Sequence, residues 1–191
     1  LDGTSDLSLT GSCGVQSFTN QTTGSLDLGN LAEGTYSDCE LEAFDLAANG
    51  SGIQNIPTFT VDRTAPTSAS LVLNGGAAQT DMENITIELE AQDPSGILQY
   101  CVLETVSSTV PSDNNVCWKP ADNSTSFSQS ESFALSTDYN VKYLISWFKD
   151  RAGNVSHDTS NIKRVDPNQP PVFGMGQDVA SYVQNLSLIH I

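Results

Sequence analysis

The sequence predicts an all-β protein made of β-sandwich modules in tandem, and three observations predict it. Apolar residues recur with a period of two in short segments, and a Pro, Gly, Asn or Asp stands at almost every break, as in strands joined by tight turns. No stretch has helical periodicity. The phrase Phe148-Lys149-Asp150-Arg151-Ala152-Gly153-Asn154-Val155-Ser156 has an earlier, worn copy in Phe44-Asp45-Leu46-Ala47-Ala48-Asn49-Gly50-Ser51. In both copies a period-2 segment ends at an Asp and a short turn follows. A second strand-like segment then closes on Val-Asp and a proline: Val61-Asp62 with Pro66, and Val165-Asp166 with Pro170. The two copies are offset by roughly a hundred residues, the size of one sandwich module.

The elements follow in order. Leu7, Leu9, Gly11 and Cys13 alternate with polar residues and read as a strand; Ser25 to Leu31 reads as a second, ending at Ala32-Glu33-Gly34. Thr35 to Asp45 is expected to be one long strand, with Cys39, Leu41 and Ala43 on the core side, and Ile56 to Asp62 closes the repeat. In the second repeat Ile85 to Ala91 alternates strictly. Asp93-Pro94-Ser95-Gly96 is a turn, and Ile97 to Glu104 is the next strand. Residues 107–126, rich in Ser, Asn, Asp and Pro, read as loop and edge strand anchored by Cys117 and Trp118. Phe133 and Leu135 mark a further strand, and Val141 to Lys149 leads into the hairpin. The expected organisation is a first module at 1–66 lacking its N-terminal part, a complete module at 67–170, and a linker or start of a third at 171–185. Residues 186–191 back-translate as CTG TCT CTT ATA CAC ATC, a transposon end used in preparing sequencing libraries, and read as a non-native tail; the alternative is a strand of a third module.

The bulk properties exclude several classes. Seven Lys and Arg against 23 Asp and Glu give a formal charge of −16, which argues against nucleic acid, whose phosphates need basic residues. No apolar run approaches the roughly 18 residues of a membrane span. An export signal is expected upstream of the first residue. The four cysteines fall two per repeat without CxxC spacing, so Cys13 with Cys39 and Cys101 with Cys117 are expected disulfides, the first bridging the two sheets of its module. Disulfides imply an oxidising compartment, hence an extracellular or cell-surface protein.

Four segments occur in the order found in a known family: Leu73-Asn74-Gly75-Gly76-Ala77-Ala78-Gln79-Thr80, Ala91-Gln92-Asp93-Pro94-Ser95-Gly96-Ile97, Trp118-Lys119-Pro120, and Lys149 to Ser156. In these the second repeat resembles bacterial immunoglobulin-like tandem repeats of large surface proteins and adhesins, along nearly its whole length. The first looks like a relative in which Gly-Asn has become Ala48-Asn49. The resemblance implies tandem immunoglobulin-like β-sandwich modules on the outside of a cell, no catalysis, and calcium at the joints.

Nothing in the residues argues for an enzyme. There is no Gly-x-Ser-x-Gly, and His157 and Asp158, adjacent on a strand, point to opposite faces. Asn20, Asn49, Asn84, Asn123, Asn154 and Asn185 precede x-Ser or x-Thr, glycosylation sites in a eukaryotic host. A metal site is expected where the modules meet. Asp62 of the linker, Asp93 of the turn and Asp150 of the hairpin should converge at one pole, where Ca²⁺ would relieve their repulsion, with Asn154 or backbone carbonyls completing the shell. The same logic makes Asp166 a donor to a third module. If the family's register holds, Leu144, Ser146 and Phe148 face the core and Tyr143, Ile145 and Trp147 form an outward contact patch. The expected partners are neighbouring modules of the same chain, joined by a short linker at residues 62 to 67, and a host-cell or matrix ligand. The preferred function is a spacer or stalk; the alternative is an adhesive module that binds a ligand through an exposed apolar sheet face.

Overall fold

A computed structural model describes residues 5–21, 28, 31–111 and 117–168; the expected segments at 171–185 and 186–191, and most of the strand expected at 25–31, lie outside them. The chain forms β1 (Ser5–Thr10), β2 (Gln16–Gln21), β3 (Gly34–Tyr36), β4 (Glu40–Phe44), β5 (Gln54–Asn55) and β6 (Phe59–Val61) before the linker. After it come β7 (Thr67–Leu73), β8 (Gln79–Thr80), β9 (Asn84–Gln92), β10 (Ile97–Thr105), β11 (Lys119–Pro120), β12 (Ser126–Ala134), β13 (Val141–Asp150) and β14 (Val155–Arg164). Among the described residues no strand of the first set pairs with one of the second, and each set has its own apolar cluster.

The second set is a β-sandwich. A three-stranded sheet, β12-β9-β7, packs on a five-stranded one, β11-β10-β13-β14-β8. The pairings are antiparallel except that β8 joins β14 in parallel, with Lys163 opposite Gln79. In β9 every second residue is buried, Ile85, Ile87, Leu89 and Ala91, while Thr86, Glu88 and Glu90 face out. The period of two therefore sends one face into the core. These residues meet Tyr100 and Val102 of β10, Phe127 of β12, Leu144 and Phe148 of β13 and Ile162 of β14. The Phe127 ring stands edge-on to Phe148 at 6.0 Å between centroids, a favoured arrangement of two π quadrupoles.

The first set repeats part of this plan. Its four-stranded sheet runs β2-β1-β4-β5, which is the order β11-β10-β13-β14 of the second set with the same antiparallel pairings. The strand expected over Thr35 to Asp45 is broken in two. β3 pairs with β6 while β4 pairs with β1 and β5. The break falls at Ser37-Asp38-Cys39, where the Asp38 carboxylate accepts the Ser12 backbone N–H at 3.0 Å. Gly11 allows that approach: its φ is +79°, and a Cβ there would lie 2.0 Å from the Asp38 carbonyl oxygen. The Cys13–Cys39 disulfide closes the same corner, with Cα atoms 5.4 Å apart. It does not bridge two sheets as expected. Cys13 follows β1 and Cys39 precedes β4, and those strands are neighbours in one sheet. The second disulfide, Cys101–Cys117, ties β10 to the residue pair before β11.

Candidate functional site: the acidic joint between the two sets of strands

The joint is made by three strand ends. Asp62 follows β6, Asp93 follows β9 and Asp150 ends β13. Each offers a carboxylate oxygen, and these oxygens lie within 4.8 Å of one another. Asp93 and Asp150 are buried, and among the described residues none of the three forms a salt bridge.

Local turn chemistry holds each acid in place. Asp93 Oδ1 accepts the Ser95 backbone N–H at 2.8 Å and its hydroxyl at 2.6 Å, an Asx turn. The turn is pinned to the loop before β12: Asp93 N–H donates to the Thr125 carbonyl and Ile97 N–H to that of Ser124. Gly96 sits at φ +92°, and a Cβ there would lie 2.6 Å from the Asn123 carbonyl oxygen, so this turn requires glycine. Asp62 Oδ1 accepts the Thr64 backbone N–H at 3.1 Å. Asp166 Oδ1 accepts that of Asn168 at 2.8 Å, the same turn one repeat later.

The two hairpins carry one lock. In the first, Asp45 accepts the Asn49 backbone N–H and side-chain Nδ2, both at 2.8 Å. In the second, Asp150 accepts the Asn154 backbone N–H and Nδ2, again both at 2.8 Å. The repeated Asp…Asn phrase thus encodes a side-chain lock that shapes the turn. The second hairpin also touches the linker: Asn154 Nδ2 reaches the Asp62 carbonyl at 3.2 Å and the Thr64 carbonyl at 3.3 Å. Asn154, expected in a metal shell, is here a strut between hairpin and linker. Beside it runs a groove of about 730 Å³ bordered by Phe59, Val61, Pro94, Ser95 and Arg151.

The exposed copy of the lock makes a pH expectation. Hydrogen bonds from Asn49, its side chain above all, hold the Asp45 carboxyl below its ordinary 3.8. A carboxyl depressed in the folded state contributes stability that is full above its unfolded value and is lost as pH falls from there through the folded value. An NMR titration of Asp45 should therefore give a midpoint below 3.8, and Asn49→Ala should return it toward that value.

The expected contact patch is corrected. The register places Trp147 opposite Cys101 and Ile145 opposite Leu103, on the face away from Leu144 and Phe148. That face is covered. Ile145 and Trp147 are buried and Tyr143 is half-buried; Cys101, Leu103, Val110, Cys117, Trp118 and Val155 pack against Ile145 and Trp147. Val110, Cys117 and Trp118, from between β10 and β11, lie on that face, and the disulfide fastens Cys117 to Cys101. Lys149 closes the outside, its Nζ 4.0 Å from the Trp118 ring centroid, a cation–π contact. The period of two located the face but carried no sign of its cover.

No family profile matches the chain, and no curated protein matches it. Among solved structures it is similar to fibronectin(III)-like modules of CbhA from Clostridium thermocellum. The identity is 13%, over 88% of this chain and 83% of that one, with a TM-score of 0.46.

Proposed function

We propose that the chain is a structural spacer: two non-catalytic, immunoglobulin-like modules of an extracellular or cell-surface protein, held in a fixed mutual orientation by a divalent cation at their joint. The observation that carries this reading is the meeting of Asp62, Asp93 and Asp150 around the linker. Two like charges about 4 Å apart repel by on the order of 4 kcal/mol at an effective dielectric near 20. A hydrogen bond to a charged group returns about 1.5–3 kcal/mol. Hydrogen bonds from Thr64, Ser95 and Asn154 to the three carboxylates are of a size comparable with that repulsion, and a cation among the carboxylates would replace it with direct attraction to each.

The donor set selects the ion. Three carboxylates with nearby backbone carbonyls, and no Cys or His, form a hard oxygen site that suits Ca²⁺, which accepts six to eight oxygens in flexible geometry. Its chemistry there is electrostatic cross-linking, with no reaction to catalyse. Asp62 would bring the linker, Asp93 the turn after β9 and Asp150 the hairpin, so the ion joins both modules. The two disulfides support placement in an oxidising compartment, and the acidic chain supports solubility. An adhesive role through Tyr143, Ile145 and Trp147 has no exposed apolar face to use.

Calorimetric titration with Ca²⁺ tests the reading. The full chain is expected to bind and to melt at a higher temperature with the ion; Asp150→Ala should abolish both effects. Negligible heat from the full chain, with no calcium-dependent rise in melting temperature, would overturn it.

A further inference from the structure

We propose that β12 is a self-association edge, pairing antiparallel with β12 of a second copy of this chain about a two-fold axis at Ser130. β12 is the outer strand of its sheet, paired on one side with β9 and on the other with no described strand. Its ladder to β9 runs from Ser126 opposite Gln92 to Ala134 opposite Asn84 without a register shift. A long, regular, unpaired edge presents a row of backbone donors and acceptors, and natural sheets blunt such edges with Pro, Lys or a bulge. β12 has none of these.

The sequence of the strand says which partner fits. Ser126-Phe127-Ser128-Gln129-Ser130-Glu131-Ser132-Phe133-Ala134 is a near-palindrome about Ser130. Antiparallel pairing about that point sets Phe127 against Phe133, Ser128 against Ser132 and Gln129 against Glu131, an amide against a carboxylate. A two-fold interface requires such self-complementarity, in which each residue meets the partner position that meets it.

Charge points the same way. The chain carries −16, so two copies repel over most of their surfaces, yet the exposed side chains of Ser126, Ser128, Gln129, Ser130 and Ser132 are neutral. The single charge of the strand, Glu131, is already engaged: Lys119 Nζ lies 2.8 Å from its Oε1, and the Tyr100 hydroxyl donates to its Oε2 at 3.1 Å. An inward-pointing charge normally protects an edge; here its partners neutralise it. Because the edge runs along the side of the sandwich, pairing joins two chains laterally and leaves the acidic joint free.

Sedimentation of the full chain over a range of concentrations tests the proposal. The expected result is a monomer that converts reversibly to a dimer. Ser130→Lys and Ser130→Glu place like charges across the axis and should each sediment as monomers at every concentration, while an equimolar mixture of the two should form a heterodimer. Ser130→Cys should cross-link into a covalent dimer under mild oxidation, and Ser126→Cys, far from the axis, should not. Unchanged circular dichroism and melting temperature verify folding of each variant. A wild-type chain that stays monomeric throughout, or a dimer indifferent to Ser130→Lys, would overturn the proposal.

Discussion

Trp147→Ala is expected to destabilise the second module by about 3–5 kcal/mol, the cost of emptying a large aromatic site in a packed interior. A contact residue on an open sheet face would change stability by only a few tenths of a kcal/mol. The difference decides between two roles for one residue. Trp147 is 2% exposed and packed with Cys101 and Ile145, so it belongs to a second, smaller core on the outer side of β13. Urea denaturation of wild type and variant measures the difference directly. A fall in midpoint at unchanged slope is the expected form of the result.

Removing the cover's fastening should produce the second large effect. Cys101 and Cys117 are 16 residues apart, and opening a loop of that size costs ~3 kcal/mol in the chain-entropy model. The Cys101→Ala, Cys117→Ala double variant should therefore melt roughly 10–20 °C lower. Freed from its anchor, the segment should also admit water to Trp147, and tryptophan emission should shift to the red in the native baseline. Emission that stays put while stability falls would mean that packing of Val110 and Trp118 holds the cover without the bond.

How far the fold can be read from the chain follows from which interactions carry it. β9 alternates without exception because one of its faces is core and the other is water. The repeated hairpin was legible because its turn is held by Asp and Asn side chains a fixed distance apart. Asp62, Asp93 and Asp150 could be grouped from connectivity, since each ends an element at the same pole. Other features leave no local mark. β2 and β12 are mostly Ser, Gln and Thr, with backbone pairing rather than apolar alternation defining them. At the break between β3 and β4, Asp38 meets Ser12 of the short 3-10 turn that follows β1, far away in sequence. The cover over Trp147 is a tertiary event: a polar-looking segment supplies Val110 and Trp118 to a face that the period of two had left open.

Fixing of the two modules through the acidic joint, as proposed, makes their mutual orientation depend on the cation. Residual dipolar couplings from both modules of the full chain, weakly aligned, measure this most directly, first with Ca²⁺ and then with a chelator. With Ca²⁺ the couplings of residues 5–61 and 67–164 are expected to fit a single alignment tensor, and the chelator or Asp150→Ala should split them into two of different magnitude. Two unrelated tensors in the presence of Ca²⁺, unchanged by the chelator, would contradict the account.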